Sequence, residues 1–285
     1  MEPHPHGRGP VPSSWLLVPP TAGSGVLADG PAAMPVELDL ASPSRNSVIS
    51  QPRTSRGSAG GPALSLPEAM LIDLHTHTRP LSWDSDLTAD ELIEHARAAG
   101  LDGIVLTDHD FFWDSEEVRA LARRHNFLVL AGAEINTEDG HILAYGIDRY
   151  VFGMHRSHVL AEIVAQAGGT MVAAHPYRRR MPWHTQDERD YEEALLRASR
   201  NPAYRHCVAL EKINGKGKVN ENAFAARLCD LTGMAGTAGS DCHTRGDIGR
   251  CATYFERRIE DIHGLIEELK AGRFHAVDLA AERVR

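Results

Sequence analysis

Cysteine is scarce in this chain. Four residues in 285 (Cys207, Cys229, Cys242 and Cys251) show no C-x-x-C spacing. So few in so long a chain rule out a disulfide scaffold and make a reducing cytoplasm the default compartment. No apolar run approaches the roughly 20 residues of a transmembrane helix, so no membrane partner is expected. The short apolar patch at Ser14–Val18 has no basic flank before it and falls short of a secretory core. Basic residues are also outnumbered, 30 Lys and Arg against 39 Asp and Glu, for a formal charge of -9. That balance argues against stable nucleic-acid binding. What the chain does have is a hydrophobic content of 42%, enough for a sizeable core, and sixteen histidines.

Residues 1–67 are rich in Pro, Gly, Ser and Ala and lack sustained periodicity. Such a composition buries too little apolar surface to offset the entropy of ordering, so an N-terminal disordered extension is expected there. His4 and His6 fall inside it and have nothing nearby to hold a ligand. From residue 70 to 285 a single α/β domain is expected, in which strand and helix patterns alternate.

Predicted strands cover Leu71–His75, Gly103–Thr107, Phe127–Ala133, His141–Ile147, Thr170–Ala174, Cys207–Ile213 and Met234–Gly239. Helices are predicted after Thr88, with Glu91 completing a capping box, after Asp114, and from Ser157. Further helices cover 187–199, the stretch after Asn220 (with Phe224, Leu228 and Leu231 as its apolar face) and 260–271. Seven strands mostly separated by helices point to a parallel barrel rather than an open sheet. In such barrels the chemistry lies at the carboxyl ends of the strands.

Those ends carry imidazoles and carboxylates. The first strand runs into His75 and His77, which leave on one face because side chains alternate along a strand. A polar loop with Asp84 and Asp86 follows. The second strand ends in Asp108-His109-Asp110, the third in Glu134, the fifth in His175-Pro176 and the seventh in Asp241-Cys242-His243. His141 is the exception, because it opens the fourth strand instead of closing it. Each residue has a bland alternative: a helix cap for Asp108, a surface charge for Glu134, a hydrogen-bonded core histidine for His175. Their joint placement reads as a multinuclear metal site built from N and O donors, the set suited to zinc, manganese or iron.

The motifs D-L-H-T-H (Asp73–His77), L-T-D-H-D (Leu106–Asp110), A-H-P (Ala174–Pro176) and G-S-D-C-H (Gly239–His243), with Glu134 between, stand in the order of a known family. From Leu71 to about Phe274 the chain resembles the PHP (polymerase and histidinol phosphatase) family, in its small stand-alone phosphoesterase branch. The resemblance implies a distorted seven-stranded (β/α)7 TIM-like barrel holding two to three divalent ions of Mn, Fe or Zn. It puts His75, His77, His109, Glu134, His141, His175, Asp241 and His243 at ligand positions, with Glu134 as the bridging carboxylate. The ninth position falls to Asp84 or Asp86, and counting back from the helix at Thr88 favours Asp84. Cys242, between two ligands, should face the other side of its strand.

The implied activity is hydrolysis of a small phosphate ester, such as a nucleotide or amino-alcohol phosphate, by a metal-bridged hydroxide. Arg178 and Arg179, beside the His175 turn, are expected to bind the substrate's phosphate, with Arg245, Arg250 and Lys212 as further candidates. Asp108 is expected to orient a neighbouring ligand histidine. His184 is the candidate proton donor to the leaving group. The alternatives are an amidohydrolase-like enzyme acting on a carbon substrate, and a nuclease-type module acting on nucleic-acid ends. Amidohydrolases also place H-x-H after a first strand, but they bridge their metals with a lysine, the role Glu134 fills here.

Overall fold

The run Met-Leu-Ile-Asp-Leu opens the first strand, and the computed structural model describes residues 69–182 and 187–282. All of these belong to one compact unit, Gly60–Arg285. The extension expected over 1–67, with His4 and His6, lies outside the described residues, as does His184.

Seven strands match the sequence expectation within a few residues: β1 (Met70–Thr76), β2 (Gly103–Leu106), β3 (Leu128–Thr137), β4 (Gly140–Tyr145), β5 (Thr170–Ala173), β6 (Ala209–Asn214) and β7 (Ala235–Gly239). Two more were not foreseen, β8 (Cys251–Phe255) and β9 (Phe274–Asp278). The sheet is therefore nine-stranded, in the order β7-β6-β5-β4-β3-β2-β1-β8-β9. Cys-Ala-Thr-Tyr-Phe carries the β-branched and aromatic residues that favour strands. It is nonetheless too short to declare itself without β1, against which it pairs antiparallel from Met70↔Phe255 to Ile72↔Thr253.

The parallel expectation also needs correcting. β1–β2–β3 and β5–β6–β7 are parallel, but β4 runs antiparallel to both β3 and β5. Only two residues separate β3 from β4, and a hairpin can close over two residues whereas a parallel crossover cannot. Gly140 takes φ +125° in this turn, a conformation other residues avoid. Because β4 is reversed, its opening residue lies at the same end as the closing residues of its neighbours. His141 is thus no exception in space.

The sheet curls until β7 meets β1. Thr76 bridges Cys242, Asp241 N–H donates to His75 O at 2.8 Å, and His77 N–H donates to Cys242 O at 3.3 Å. Lower down, the Thr253 hydroxyl and the Ala238 N–H and carbonyl join β8 to β7 at 2.8–2.9 Å. The result is a nearly closed barrel whose seam lies beside the site.

Helices pack outside. In α1 (Ala89–Ala98) the Thr88–Glu91 capping box is present, and the Asp114 carboxylate caps α2 (Ser115–His125). α3 (Ser157–Gln166), α4 (Glu188–Ala198), α5 (Val219–Thr232) and α6 (Ile262–Ala271) follow, with a short terminal α7 (Leu279–Glu282). Lys218, not Asn220, stands at the cap of α5, where its N–H donates to Glu221 Oε2 at 2.7 Å. Alternation along β4 divides the core. Leu143 and Tyr145 pack with Ile72, Leu74, Val105 and Val172, while Ile142 and Ala144 meet Leu160, Leu195, Phe224 and Leu228 of the helices. On α5 Leu231 stays half exposed and Cys229 enters the core in its place.

Candidate metal centre

Eight of the nine expected ligands form four overlapping clusters in which donor atoms lie within 4.8 Å of one another: His75–His77–Asp241, His75–Glu134–His175, His109–Glu134–His141 and His77–His109–His243. Glu134 is the hub. Its Oε1 lies 2.7 Å from His141 Nδ1 and 2.9 Å from His175 Nε2, and its Oε2 lies 2.9 Å from His109 Nδ1. His75 and His77 Nε2 are each 3.3 Å from the same Oε2, and Asp241 Oδ1 is 3.3 Å from His77 Nε2. Asp84 completes the rim, with Oδ2 3.0 Å from His243 Nε2 and 3.7 Å from His109 Nε2. Asp86 instead meets His243 through the backbone, its N–H donating to His243 O. Among the two candidates for the ninth position, geometry favours Asp84.

Two features indicate that this donor set suits a cation. First, Glu134 Oε2 is buried and receives no aligned hydrogen bond, although three imidazole nitrogens surround it. A buried carboxylate oxygen left this way is costly unless a positive charge faces it. Second, both inner imidazoles are held from behind. His75 Nδ1–H donates to Glu211 Oε1 at 3.0 Å. His77 Nδ1–H donates to Ser82 Oγ at 3.1 Å, and the Ser82 hydroxyl in turn donates to Asp108 Oδ1 at 2.7 Å. In neutral rings both Nε2 lone pairs then point at each other across 3.0 Å, an arrangement that requires a shared proton or a cation.

The electrostatics agree. Burial opposes charge on His75, yet Glu211, Glu134 and Asp241 override it and hold the imidazole well above its ordinary pKa. Burial likewise opposes ionisation of Glu134, but His75, His109, His141 and His175 keep it well below the usual carboxylate range. Asp241 is lowered in the same way by His75, His77, His175 and Arg178 against its burial. The negative field is strong enough to capture positive charge.

Strain accompanies this convergence. His175 (φ +26°), Asp241 (φ +51°) and Asp110 (φ +49°) occupy the left-handed region at or beside the site. Non-glycine residues rest there only when their surroundings over-determine them.

The other expected residues divide. Asp108 is buried with both oxygens committed to Thr78, Ser82 and Trp113, so it has none to offer a substrate. It orients His77 through Ser82. Arg178 lies at the rim with Nη2 2.5 Å from Asp241 Oδ2. With Arg179, Arg180, His141 and His175 it lines a cavity of about 190 Å3. Arg245 pairs with Glu91, and Arg250 donates to the carbonyls of Gly246 and Gly215. Lys212 is turned away from the site: Glu211 faces the ligands, the next residue of a strand faces outward, and the Lys212 stem lies over Gly236. Cys242 faces the helix layer as expected, among Leu92, Ile93 and Ile248, and burial pushes its thiol up.

Sequence reasoning missed Asp73, Ser82 and Asn214. Asp73 Oδ1 accepts the N–H of His75 at 3.2 Å and of Ser240 at 2.8 Å, lashing β1 to the end of β7. Burial pushes its carboxyl up to about 6. Its place in D-L-H-T-H was the available signal.

Residues 219–274 match the PHP-associated family, and residues 70–193 match a family of unknown function, DUF6282. An uncharacterized protein of Methanocaldococcus jannaschii is 26% identical over 117 residues, covering 38% of this chain and 68% of that protein. The 3',5'-nucleoside bisphosphate phosphatase of Chromobacterium violaceum is 38% identical over 81 residues, 27% of this chain and 28% of that enzyme. Among solved structures, a two-domain Bacteroides vulgatus protein containing a predicted PHP-like metal-dependent phosphoesterase shares the fold, with a TM-score of 0.51 and 20% identity. That match covers 80% of this chain and 70% of the other. PsfC of Pseudomonas syringae shares it at a TM-score of 0.50 and 18% identity, over 74% and 92% respectively. The chain thus matches the PHP-associated family over residues 219–274 and shares the fold of a PHP-like protein over most of its described length.

Proposed function

We propose that the protein is a metal-dependent phosphoesterase hydrolysing a small phosphate ester. The observation that carries this reading is the convergence of eight N and O donors from separate parts of the chain around a ninth, the buried carboxylate Glu134, whose Oε2 lacks a hydrogen-bond partner. His75, His77, Asp84, His109, Glu134, His141, His175, Asp241 and His243 would hold two to three divalent ions of Mn, Fe or Zn, with Glu134 shared between them. Such ions, when bound, acidify water and neutralise charge developing on phosphoryl oxygens.

The chain's own groups supply the rest. Glu134 and Asp241 keep the site anionic, so that loading precedes substrate. Arg178 lies at the rim, where its remaining N–H groups would take a phosphate oxygen, and Arg179 lines the cavity beside it. Asp108 fixes Ser82 and thereby His77. His184 stays the sequence-based candidate for protonating the leaving oxygen. The Chromobacterium enzyme's substrate class makes nucleoside bisphosphates the first esters to try.

The test is elemental analysis of purified protein, then a phosphate-release screen with Mn, Fe or Zn over nucleotides and amino-alcohol phosphates. Two to three ions per chain with release from such an ester is the expected result. Bound ions without release from any phosphate ester would overturn the substrate class. Absence of ions from protein loaded and desalted with care would overturn the metal centre.

A further inference from the structure

Of the strands β1 to β7, β2, β5, β6 and β7 supply none of the nine donors from within their own length, but β2 runs on to His109, β5 to His175 and β7 to Asp241 and His243. β6 has no such neighbour. Its contribution is Glu211 and Asn214, both buried. Glu211 Oε1 accepts from His75 Nδ1–H at 3.0 Å, and Oε2 accepts the His175 backbone N–H at 2.8 Å and the Asn214 amide at 3.0 Å. The same Asn214 amide nitrogen donates to Asp241 Oδ2 at 3.2 Å. One carboxylate and one amide therefore touch three candidate ligands at the ends of three different strands. They do so by the ring of His75, the strained backbone of His175 and the carboxylate of Asp241.

This reach depends on a bulge. Residues 211 and 214 are three apart, so on a regular strand they would face opposite sides. Against β7, however, Glu211 pairs with Thr237, Ile213 with Ala238 and Asn214 with Gly239, so one residue of β6 is left over. The extra residue restores the parity and turns both side chains inward. Asn222 of α5 pins the bulge, accepting from Asn214 N–H at 3.0 Å and donating to Asn214 O at 3.1 Å. Gly239 leaves the space: a Cβ there would lie 2.4 Å from His75 Cβ and 2.9 Å from Glu211 Oε1.

We infer that Glu211, with Asn214 as its relay, is the positioning residue of the metal centre, fixing His75 with Nε2 toward the ions and holding His175 and Asp241 in place behind it. The inference rests on the ligand assignment proposed above. A buried ion pair serving stability alone is the competing role, but it does not require three contacts that all end on candidate ligands. Outer partners of this kind typically change metal affinity by about 10–100-fold.

The test compares wild type with Glu211→Gln, which keeps shape and removes charge, and with Asn214→Ala. Chelator competition with Mn and Zn on the full chain should show the tightest ion bound about 10–100-fold more weakly in Glu211→Gln. Asn214→Ala should show a smaller loss, and the metal-free melting temperature of Glu211→Gln should be little changed. A fall in that temperature with unchanged affinity in the folded protein would mean a structural role and overturn the inference. Long-range 1H–15N spectra of metal-free protein give a second reading that needs no ion. The His75 Nδ1 proton should resonate downfield and exchange slowly in wild type, and lose that protection in Glu211→Gln. If wild type binds no ion, the ligand assignment fails by itself, and this resonance still decides the contact: loss of protection supports positioning, and an unaltered signal refutes it.

Discussion

The inner and outer halves of the candidate metal centre are built differently. His75 and His77 are fully buried, and each has its Nδ1 held by a protein acceptor, Glu211 or the Ser82–Asp108 pair. His109 and His141 are about a quarter exposed, and both reach Glu134 through Nδ1. Among the described residues no hydrogen bond holds either ring from behind, and the carboxylate facing His109 Nε2, that of Asp84, lies 3.7 Å away. Asp84 is likewise about a third exposed. The inner half is organised before any ion arrives, because the rings cannot turn without breaking buried hydrogen bonds. The outer half has to be ordered by what binds there. Ions at the inner end should therefore survive purification, whereas the rim should exchange first.

The strongest break of this comparison is His75→Ala combined with His77→Ala. Metal at the inner end should vanish and phosphate release should fall by roughly 10^3-fold or more, with a folded protein by circular dichroism. Undiminished release would sink the ligand assignment. Away from the site, Phe224→Ala removes a fully buried ring between α5 and the sheet and should cost about 3–5 kcal/mol of stability, read from denaturant unfolding. Ion content per folded chain should not change, which separates scaffold from centre.

Arg178→Ala removes a charged hydrogen-bonding group from the rim and should lower kcat/KM for phosphorylated substrates about 10–100-fold, mainly through KM. No change would remove Arg178 from the phosphate clamp. Asp84→Ala should have the smallest effect. One ion should bind roughly tenfold more weakly by chelator competition while the inner ions keep their affinity. Equal weakening at both ends would erase the distinction between them.

Much of the centre was legible before the fold. His75 and His77 share a face because strands alternate, and most of the remaining donors stood where strand patterns stopped, with His141 at a strand's start and Asp84 in a loop. The helix starts at Thr88 and Asp114 were legible too, since capping chemistry is local. Lys212 was misjudged because its sequence neighbour Glu211 faces the ligands, and proximity along a strand is no guide to the face. Asn214 was invisible as a partner of Glu211, because only the bulge puts residues three apart on one side. β8 escaped because five residues of moderate β preference become a strand only against the free edge of β1.

By itself the sequence determined the set of candidate N and O donors, the order of its motifs and the alternation of strands and helices, all properties carried by residue type and short-range period. The tertiary structure decided what those cannot encode. It set the reversal of β4 that returns His141 to the site, the closure of β7 on β1 through Cys242, and the bulge that brings Glu211 and Asn214 of β6 against His75, His175 and Asp241. Each depends on which strand lies beside which, and that is settled by hydrogen bonds and packing between segments far apart in the chain.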